Sequence, residues 1–398
     1  MARGHRPGRV PMIRNLPPER MRIGLFALET GRGVGGLEVY ETELLRALAR
    51  IDSVNDYQIF CLDARVPELL GLRAANFQFV IRPVHRLRGV LWDAPRAMAA
   101  ARLDLFHALF VPPPFTAIPY VFTHHGSEVL ERPDFYPWAL GWRMRVLFRR
   151  ALARASRIIC VSKYLCDYLT RRQGIAAQRL RAIYHGCRPE FGSVAPARAR
   201  EEVAARFGLR APYVLSVGRI EPRKNPVRVL EAYDQFRRQV ADPPLLVLAG
   251  ERNWGAPEFD HALARLQLQD HVRQLGHLPH VALPSLYAAA EFVVFASLWE
   301  GFGLPALEAM AAGVPLITSQ TTSLPEVTGG AALLIDPESS AAIAAAMKSL
   351  HHDPALRQSL GRQGRARAEQ FTWERTARET VEVYAEVAAR SNGVNGPH

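Results

Sequence analysis

Short apolar, β-rich runs recur along this chain with helical stretches between them, and the alternation breaks only once. In the first half the runs are Ile23 to Leu28, Tyr57 to Leu62, Phe77 to Ile81, Leu105 to Phe110, Tyr120 to Thr123, Ile158 to Val161 and Ala182 to Tyr184. The break lies at Cys187 to Arg210, where Pro189, Gly192 and Pro196 lead into a charged Ala/Arg stretch with no strand pattern. The alternation restarts with Tyr213 to Val217, Leu245 to Ala249, Val272 to Leu275, Phe292 to Phe295, Leu316 to Thr318 and Ala332 to Ile335. Strands alternating with helices predict a parallel sheet, and 398 residues exceed what one core usually supports. The predicted architecture is α/β, with two Rossmann-like doubly wound domains facing across a cleft. An N-terminal extension (1–20) is expected to be disordered; it precedes a first domain (21–190), a linker (191–210), a second domain (211–371) and a C-terminal helix with its tail (372–398). Open parallel sheets bind ligands beyond the carboxyl ends of their strands, so a ligand of such a protein belongs in the cleft.

The most informative segment of the second domain is Glu300-Gly-Phe-Gly-Leu-Pro-Ala-Leu-Glu308. It follows the run Phe292 to Ser297, and Pro305 has the fixed φ wanted at a first helical position. Glu300 therefore falls in a strand-to-helix loop and Glu308 in the first turns of the helix. Gly301 and Gly303 let the backbone approach a ligand, and the helix start at Leu304 to Ala306 offers N–H groups and a positive dipole end to phosphate oxygens. Carboxylates only accept hydrogen bonds, which suits hydroxyls of a sugar or ribose. Taken alone, the pattern also fits a solvated loop carboxylate and a second one that merely stabilises a helix dipole.

Val217-Gly-Arg-Ile-Glu-Pro-Arg-Lys224 leaves another strand, so that Gly218 turns the chain while Arg219 and Lys224 project toward the cleft. Two fixed cations there would clamp a diphosphate and neutralise the charge growing on it. Lysine is scarce: Lys163, Lys224 and Lys348 are the only ones among the 50 basic residues. No Asp-x-Asp occurs, which removes the usual carboxylate pair for a metal-bridged sugar diphosphate.

In Thr30-Gly-Arg-Gly-Val-Gly-Gly-Leu37, Gly31, Gly33 and Gly36 satisfy a dinucleotide fingerprint. An NAD-dependent oxidoreductase would need an acidic residue about 20 positions on, and Asp63 lies roughly 30 past the fingerprint. The alternative role for Gly35 and Gly36 is to let the backbone approach a phosphate-bearing ligand of another kind. Thr123-His-His-Gly-Ser-Glu128 ends a strand facing the cleft, with His125 as its candidate ligand-binding side chain and His124 on the other face. Trp138 to Arg150 alternates aromatic and basic residues at helical spacing. Such a helix fits an anionic membrane surface; the favoured expectation is that Trp142, Val146 and Phe148 pack inward beneath a solvated basic face.

A formal charge of +12 admits nucleic-acid, membrane or acidic-substrate partners. Because 47 of the 50 basic residues are arginine, the charge reflects compositional drift, and no nucleic-acid partner is expected. Cys61, Cys160, Cys166 and Cys187 have neither disulfide-scaffold nor metal-site spacing, which suits a reducing cytoplasm. The N-terminus lacks the apolar stretch of a signal peptide, and four prolines interrupt the run from Ala108 to Phe122.

The stretch from Tyr287 to Pro315, together with Ser323-Leu-Pro-Glu-Val327 and Val217 to Asn225, resembles the retaining family 4 glycosyltransferases of GT-B fold, whose signature is a glutamate, seven residues and a second glutamate. The resemblance spans residues 21 to about 390, most strongly in the second half. It implies a retaining, metal-independent hexosyltransferase that passes a sugar, mannose from GDP-mannose as the leading candidate, from a nucleoside diphosphate to a hydroxyl of a glycan or lipid-linked acceptor. It assigns Arg219 and Lys224 to the diphosphate and His125 to the sugar or acceptor, although Gly126 stands where the family often has an acidic residue. Glu300 would hold sugar hydroxyls, Glu308 ribose, and Phe302, Gly303 and Leu304 would offer backbone contacts. No cofactor beyond the donor is implied, and the terminal helix is expected to cross back onto the first domain. Other classes left open are a nucleotide-sugar epimerase on this fold, the NAD enzyme, and a catalytically silent binding protein. A cytoplasmic location, with peripheral contact at an anionic membrane, completes the expectation.

Overall fold

The computed structural model describes residues 20–33, 35–81, 94–110, 116–210 and 212–394. Every apolar run forms a strand. The first sheet holds β1 (Arg22–Ala27), β2 (Asp56–Cys61), β3 (Phe77–Ile81), β4 (Leu105–Ala108), β5 (Tyr120–His124), β6 (Arg157–Cys160) and β7 (Leu180–Ala182). The second holds β8 (Tyr213–Val217), β9 (Leu245–Ala249), β10 (Val272–Gly276), β11 (Phe292–Phe295), β12 (Leu316–Ser319) and β13 (Leu333–Ile335). Their orders are β3-β2-β1-β4-β5-β6-β7 and β10-β9-β8-β11-β12-β13, with every pairing parallel. Helices cover both faces, which is why central strands such as β4, β11 and β12 are buried at every position. In each sheet the winding reverses once, between β1 and β4 and between β8 and β11, and a crevice opens at the carboxyl ends there.

Aromatic side chains lock the two cores. Phe26 meets Phe106 edge-on at 4.8 Å in the first, while Phe236 meets Phe292 at 6.5 Å in the second. Burying one such ring stabilises the fold by about 2–3 kcal/mol.

Strand β7 begins two residues earlier than the sequence pattern suggested, because Leu180 pairs with Ile158 and the chain leaves the sheet after Ala182. Tyr184 and His185 then reach the second domain, with the His185 ring 4.8 Å from that of Phe302. Between the sheets, residues 191–210 hold the helix Pro196–Phe207, which buries Ala199 and Val203 and packs against the helix Leu283–Ala288. The last helix, Trp373–Val394, lies on the first domain. Tyr384 bonds His107 at 2.7 Å, Arg50 pairs with Glu374 at 2.7 Å, and Arg157 and Arg181 both pair with Glu386. That helix continues to Val394, while residues 395–398 and residues 1–19, on which the expected disorder of the extension falls, lie outside the described residues.

The domains also meet directly. Glu326 of the second accepts hydrogen bonds from the Lys163 and Tyr164 backbone N–H groups at 2.8 and 3.0 Å, and from the Tyr184 hydroxyl at 2.6 Å. It thereby caps a first-domain helix, Lys163–Gln173, from across the interface. Trp299 Nε1 donates to Glu131, and Trp254 Nε1 to the Phe135 carbonyl, both at 2.9 Å.

The helix Trp138–Arg154 departs from expectation. Phe148 is buried, but Trp142 and Val146, expected to pack inward, are 64% and 48% exposed. The cause lies in register: Phe148, Ala151 and Leu152 already fill the inward face, which leaves the Trp142 and Val146 face to solvent. No helix among the described residues is long and apolar enough to cross a membrane.

Candidate active site

After β11 the chain runs through Ala296–Gly303 into the helix Leu304–Ala311. Gly303 adopts φ 99°, ψ 57°, a left-handed conformation in which a side chain would be strained. The Ser323 hydroxyl pins the loop by donating to the carbonyl oxygens of Glu300 and Phe302 at 3.0 and 3.1 Å. At Gly301 a Cβ would run into the His125 carbonyl oxygen, so the two domains touch backbone to backbone at this point. The helix start offers less than expected. Pro305 has no N–H, and the Ala306 N–H donates to the Gly303 carbonyl at 3.0 Å, which leaves only Leu304 with a backbone N–H not used by the turn itself.

Glu300 is buried, with Lys224 Nζ 2.5 Å from one carboxylate oxygen and Arg223 Nη1 3.2 Å from the other. Arg223 also pairs with buried Glu221 at 2.8 Å. Burial opposes the charge on Glu300, but Lys224 and Arg223 outweigh it and hold its carboxyl below the ordinary range. Burial pulls Lys224 downward, with Arg223 adding to it and Glu300 resisting. The turn Pro222–Lys224 is delivered to this spot by Asn225, whose Nδ2 bonds the carbonyls of Ala296 and Pro337 at 3.0 and 2.7 Å.

Arg219 stands at the same strand end but takes no part in the Glu300 cluster. Its Nε lies 4.0 Å from Glu251, and its charge also acts on Glu29 of the first domain, where burial is the larger influence. The second cation on Glu300 is therefore Arg223. One guanidinium among 47 carries no sequence signal; its partner Glu300 lies far along the chain.

Glu308 is buried and accepts from the Tyr287 hydroxyl at 3.0 Å. Burial raises its carboxyl to about 7 despite the opposing charge of Arg188 and the Tyr287 hydrogen bond. Arg188 Nε and Nη2 and both ring nitrogens of His280 are buried without hydrogen-bond partners among the described residues, as are both ring nitrogens of His185. The charge of Arg188 is felt at both Glu308 and His280. Buried polar atoms left unpaired are costly, and those of Arg188, whose charge reaches Glu308, suit a polar ligand there. Sequence reasoning missed all three residues, two of which, His185 and Arg188, lie at the end of the first domain just before the assumed linker.

From the first domain, the glycine loop faces this cluster. A Cβ at Gly36 would lie 3.5 Å from Leu304 Cδ1, and one at Gly33 3.1 Å from His277 Nε2. Gly35 has φ 79°, ψ −134° and space around it. Glu41 holds the loop by accepting from the N–H groups of Leu28, Glu29 and Thr30, and Glu38 accepts from the Gly31 N–H at 2.8 Å. Glu38 thus occupies the N–H of Gly31, the first glycine of the fingerprint, and Asp63 pairs with Arg65. Both observations count against the NAD reading.

His125 lies against Tyr40, ring centroids 4.6 Å apart, and its Nε2 is 2.7 Å from the Leu109 carbonyl oxygen. A carbonyl only accepts, so Nε2 carries the proton and Nδ1 is an acceptor. Burial pushes the imidazole down to about 4, neutral at physiological pH, with the Leu109 hydrogen bond acting the other way. His124 is buried away from the cleft, bonded to Ser127 Oγ at 2.6 Å.

Residues 34–191 match the family described as Glycosyltransferase Family 4, and residues 199–367 that described as Glycosyl transferases group 1. The chain is 32% identical over 366 residues to the O-antigen chain mannosyltransferase B of Escherichia coli, covering 88% of this chain and 95% of that one. Its fold is similar to that of sucrose-phosphate synthase from Thermosynechococcus elongatus (TM-score 0.75, 24% identity, 93% of this chain and 100% of that one). It is similar also to Anabaena HepE in complex with UDP and glucose (TM-score 0.74, 20% identity, 92% and 100%). Identity sustained along almost the whole of a known transferase carries the family with it: this chain belongs to the GT-B glycosyltransferases.

Proposed function

We propose that this chain is a retaining, metal-independent glycosyltransferase of family 4 that transfers mannose from GDP-mannose to a hydroxyl of a growing glycan or lipid-linked sugar in the cytoplasm. The observation that carries the reading is the buried Lys224–Glu300 pair at the β8/β11 crevice, facing His125 and the glycine loop across the cleft. The mannosyltransferase relative supports the choice of sugar.

In this reading Arg219 and Lys224 neutralise the leaving diphosphate, a task a divalent metal would otherwise perform. Gly35 and Gly36 admit the donor phosphates and the acceptor. Glu300 accepts from sugar hydroxyls as positive charge develops at the anomeric carbon, with backbone contacts from Phe302, Gly303 and Leu304. Glu308 takes the ribose hydroxyls, and His125 Nδ1 accepts from a hydroxyl of the sugar or acceptor. The bond from the anomeric carbon to the diphosphate oxygen breaks while the acceptor oxygen bonds to the same face. The acceptor proton passes to the departing phosphate oxygen, so the enzyme need supply no base.

The test is turnover of GDP-mannose with a panel of mannosyl acceptors in the presence of EDTA, followed by NMR of the product linkage. Transfer with the donor's anomeric configuration kept is expected. An inverted linkage, loss of activity to EDTA, or an altered donor sugar formed without acceptor would each overturn the proposal.

A further inference from the structure

The solvent face of the helix Trp138–Arg154 has a composition that water does not favour. Trp138, Trp142 and Val146 are spaced four residues apart, so they form one stripe, and they are 84%, 64% and 48% exposed. Arg143, Arg149, Arg150 and Arg154 are also exposed, and no acidic residue occurs anywhere in the helix. The opposite face is anchored in the first domain: Phe148 is buried and meets Phe110 and His124 edge-on at 5.8 and 5.7 Å. The stripe is thus held outward by a rigid scaffold.

We propose that this helix lies flat on an anionic phospholipid bilayer, with Trp138, Trp142 and Val146 in the interfacial layer and the arginines at lipid phosphates. The charge complementarity commits the surface to anionic lipid, and the exposed indoles suit the boundary between headgroups and acyl chains. Near the far end of the helix, a cavity of about 320 Å³ is lined by Arg150, Arg154, Thr116, Tyr120, Ser156 and Leu147. Two guanidinium-bearing side chains with hydroxyls beside them give one headgroup phosphate of that bilayer a seat. The Trp138 end follows directly on Pro133–Phe135, the turn whose Phe135 carbonyl is bonded by Trp254 of the second domain. The docked face therefore runs up to the rim of the cleft. A lipid-linked acceptor would reach the site without leaving the membrane.

The experiment needs neither donor nor acceptor, so its failure is separable from failure of the catalytic reading. The full chain is sedimented with vesicles of phosphatidylglycerol and phosphatidylcholine, or of phosphatidylcholine alone, while Trp fluorescence is recorded. Binding only to the anionic vesicles, with a blue-shifted emission, is expected. Trp138→Ala with Trp142→Ala should abolish the shift and weaken partitioning at least about tenfold. Arg143→Ala with Arg149→Ala should weaken it about 30-fold, roughly a factor of five for each charge removed. All four side chains are exposed, and unchanged thermal melting of the variants checks that the fold persists. No binding to anionic vesicles, binding indifferent to both variants, or a stripe buried instead by a second copy, seen as a dimer lost in the Trp variant, would each overturn the proposal.

Discussion

Lys224 Nζ and Glu300 Oε1 lie 2.5 Å apart in a buried site, although their residues come from separate loops that follow β8 and β11. Asn225 and Ser323 hold those loops in place. Two buried charges coexist only while paired, and Arg223 and Glu221 extend the pair into a four-charge cluster. Lys224→Met should remove the shorter of Glu300's two ion pairs and destabilise the second domain by about 3–5 kcal/mol, measured by urea unfolding.

Gly301→Ala tests domain contact at the site. Its Cβ would meet the His125 carbonyl oxygen, a backbone atom with little room to move. The substitution should force the cleft apart and lower kcat/KM about 100-fold, while costing about 1–3 kcal/mol in stability. Steady-state kinetics beside a melting curve would separate the two effects.

Glu326→Ala tests the interdomain cap. It removes the acceptor for two backbone N–H groups at the start of Lys163–Gln173 and for the Tyr184 hydroxyl. A loss of about 1–2 kcal/mol is expected, with faster hydrogen exchange at Lys163 and Tyr164. Tyr184→Phe should cost less, about 0.5–1.5 kcal/mol, since it leaves the cap intact.

Glu308 makes stability depend on pH. Its folded-state value of about 7 lies above the ordinary carboxylate value, so its contribution is complete at pH values below the unfolded pKa of about 4.3. That contribution is lost as pH rises through 7. Glu308→Gln should therefore flatten the decline in melting temperature between pH 5 and 8, although Glu41, also raised to about 7 by burial, leaves part of it. Glu300 acts with the opposite sign: its carboxyl is held low, so its contribution is present above pH 4.3 and lost as the medium becomes more acid.

The strands and their arrangement were legible because parallel strands covered on both faces must be apolar at nearly every position, as β11 and β12 are. Glu300 and Lys224 were legible because each sits in a short, chemically distinctive loop. What stayed hidden depends on pairing between distant parts of the chain. Pro196–Phe207 reads as a charged linker because few of its side chains, Ala199 and Val203, are buried. Arg223 and Arg188 are lost among many arginines, and only the fold brings them to Glu300 and Glu308. The outward Trp142 could not be read because the helix holds apolar residues on two faces, and Phe148 won the inward one.

The central claim is that Glu300 acts on the transferred sugar rather than on the nucleotide. Its most direct test is Glu300→Gln, with kcat from donor turnover and GDP affinity from calorimetry measured on the same preparation. The account predicts that kcat falls by about 100-fold or more while Kd for GDP changes less than about threefold. Equal losses in turnover and GDP affinity would contradict it.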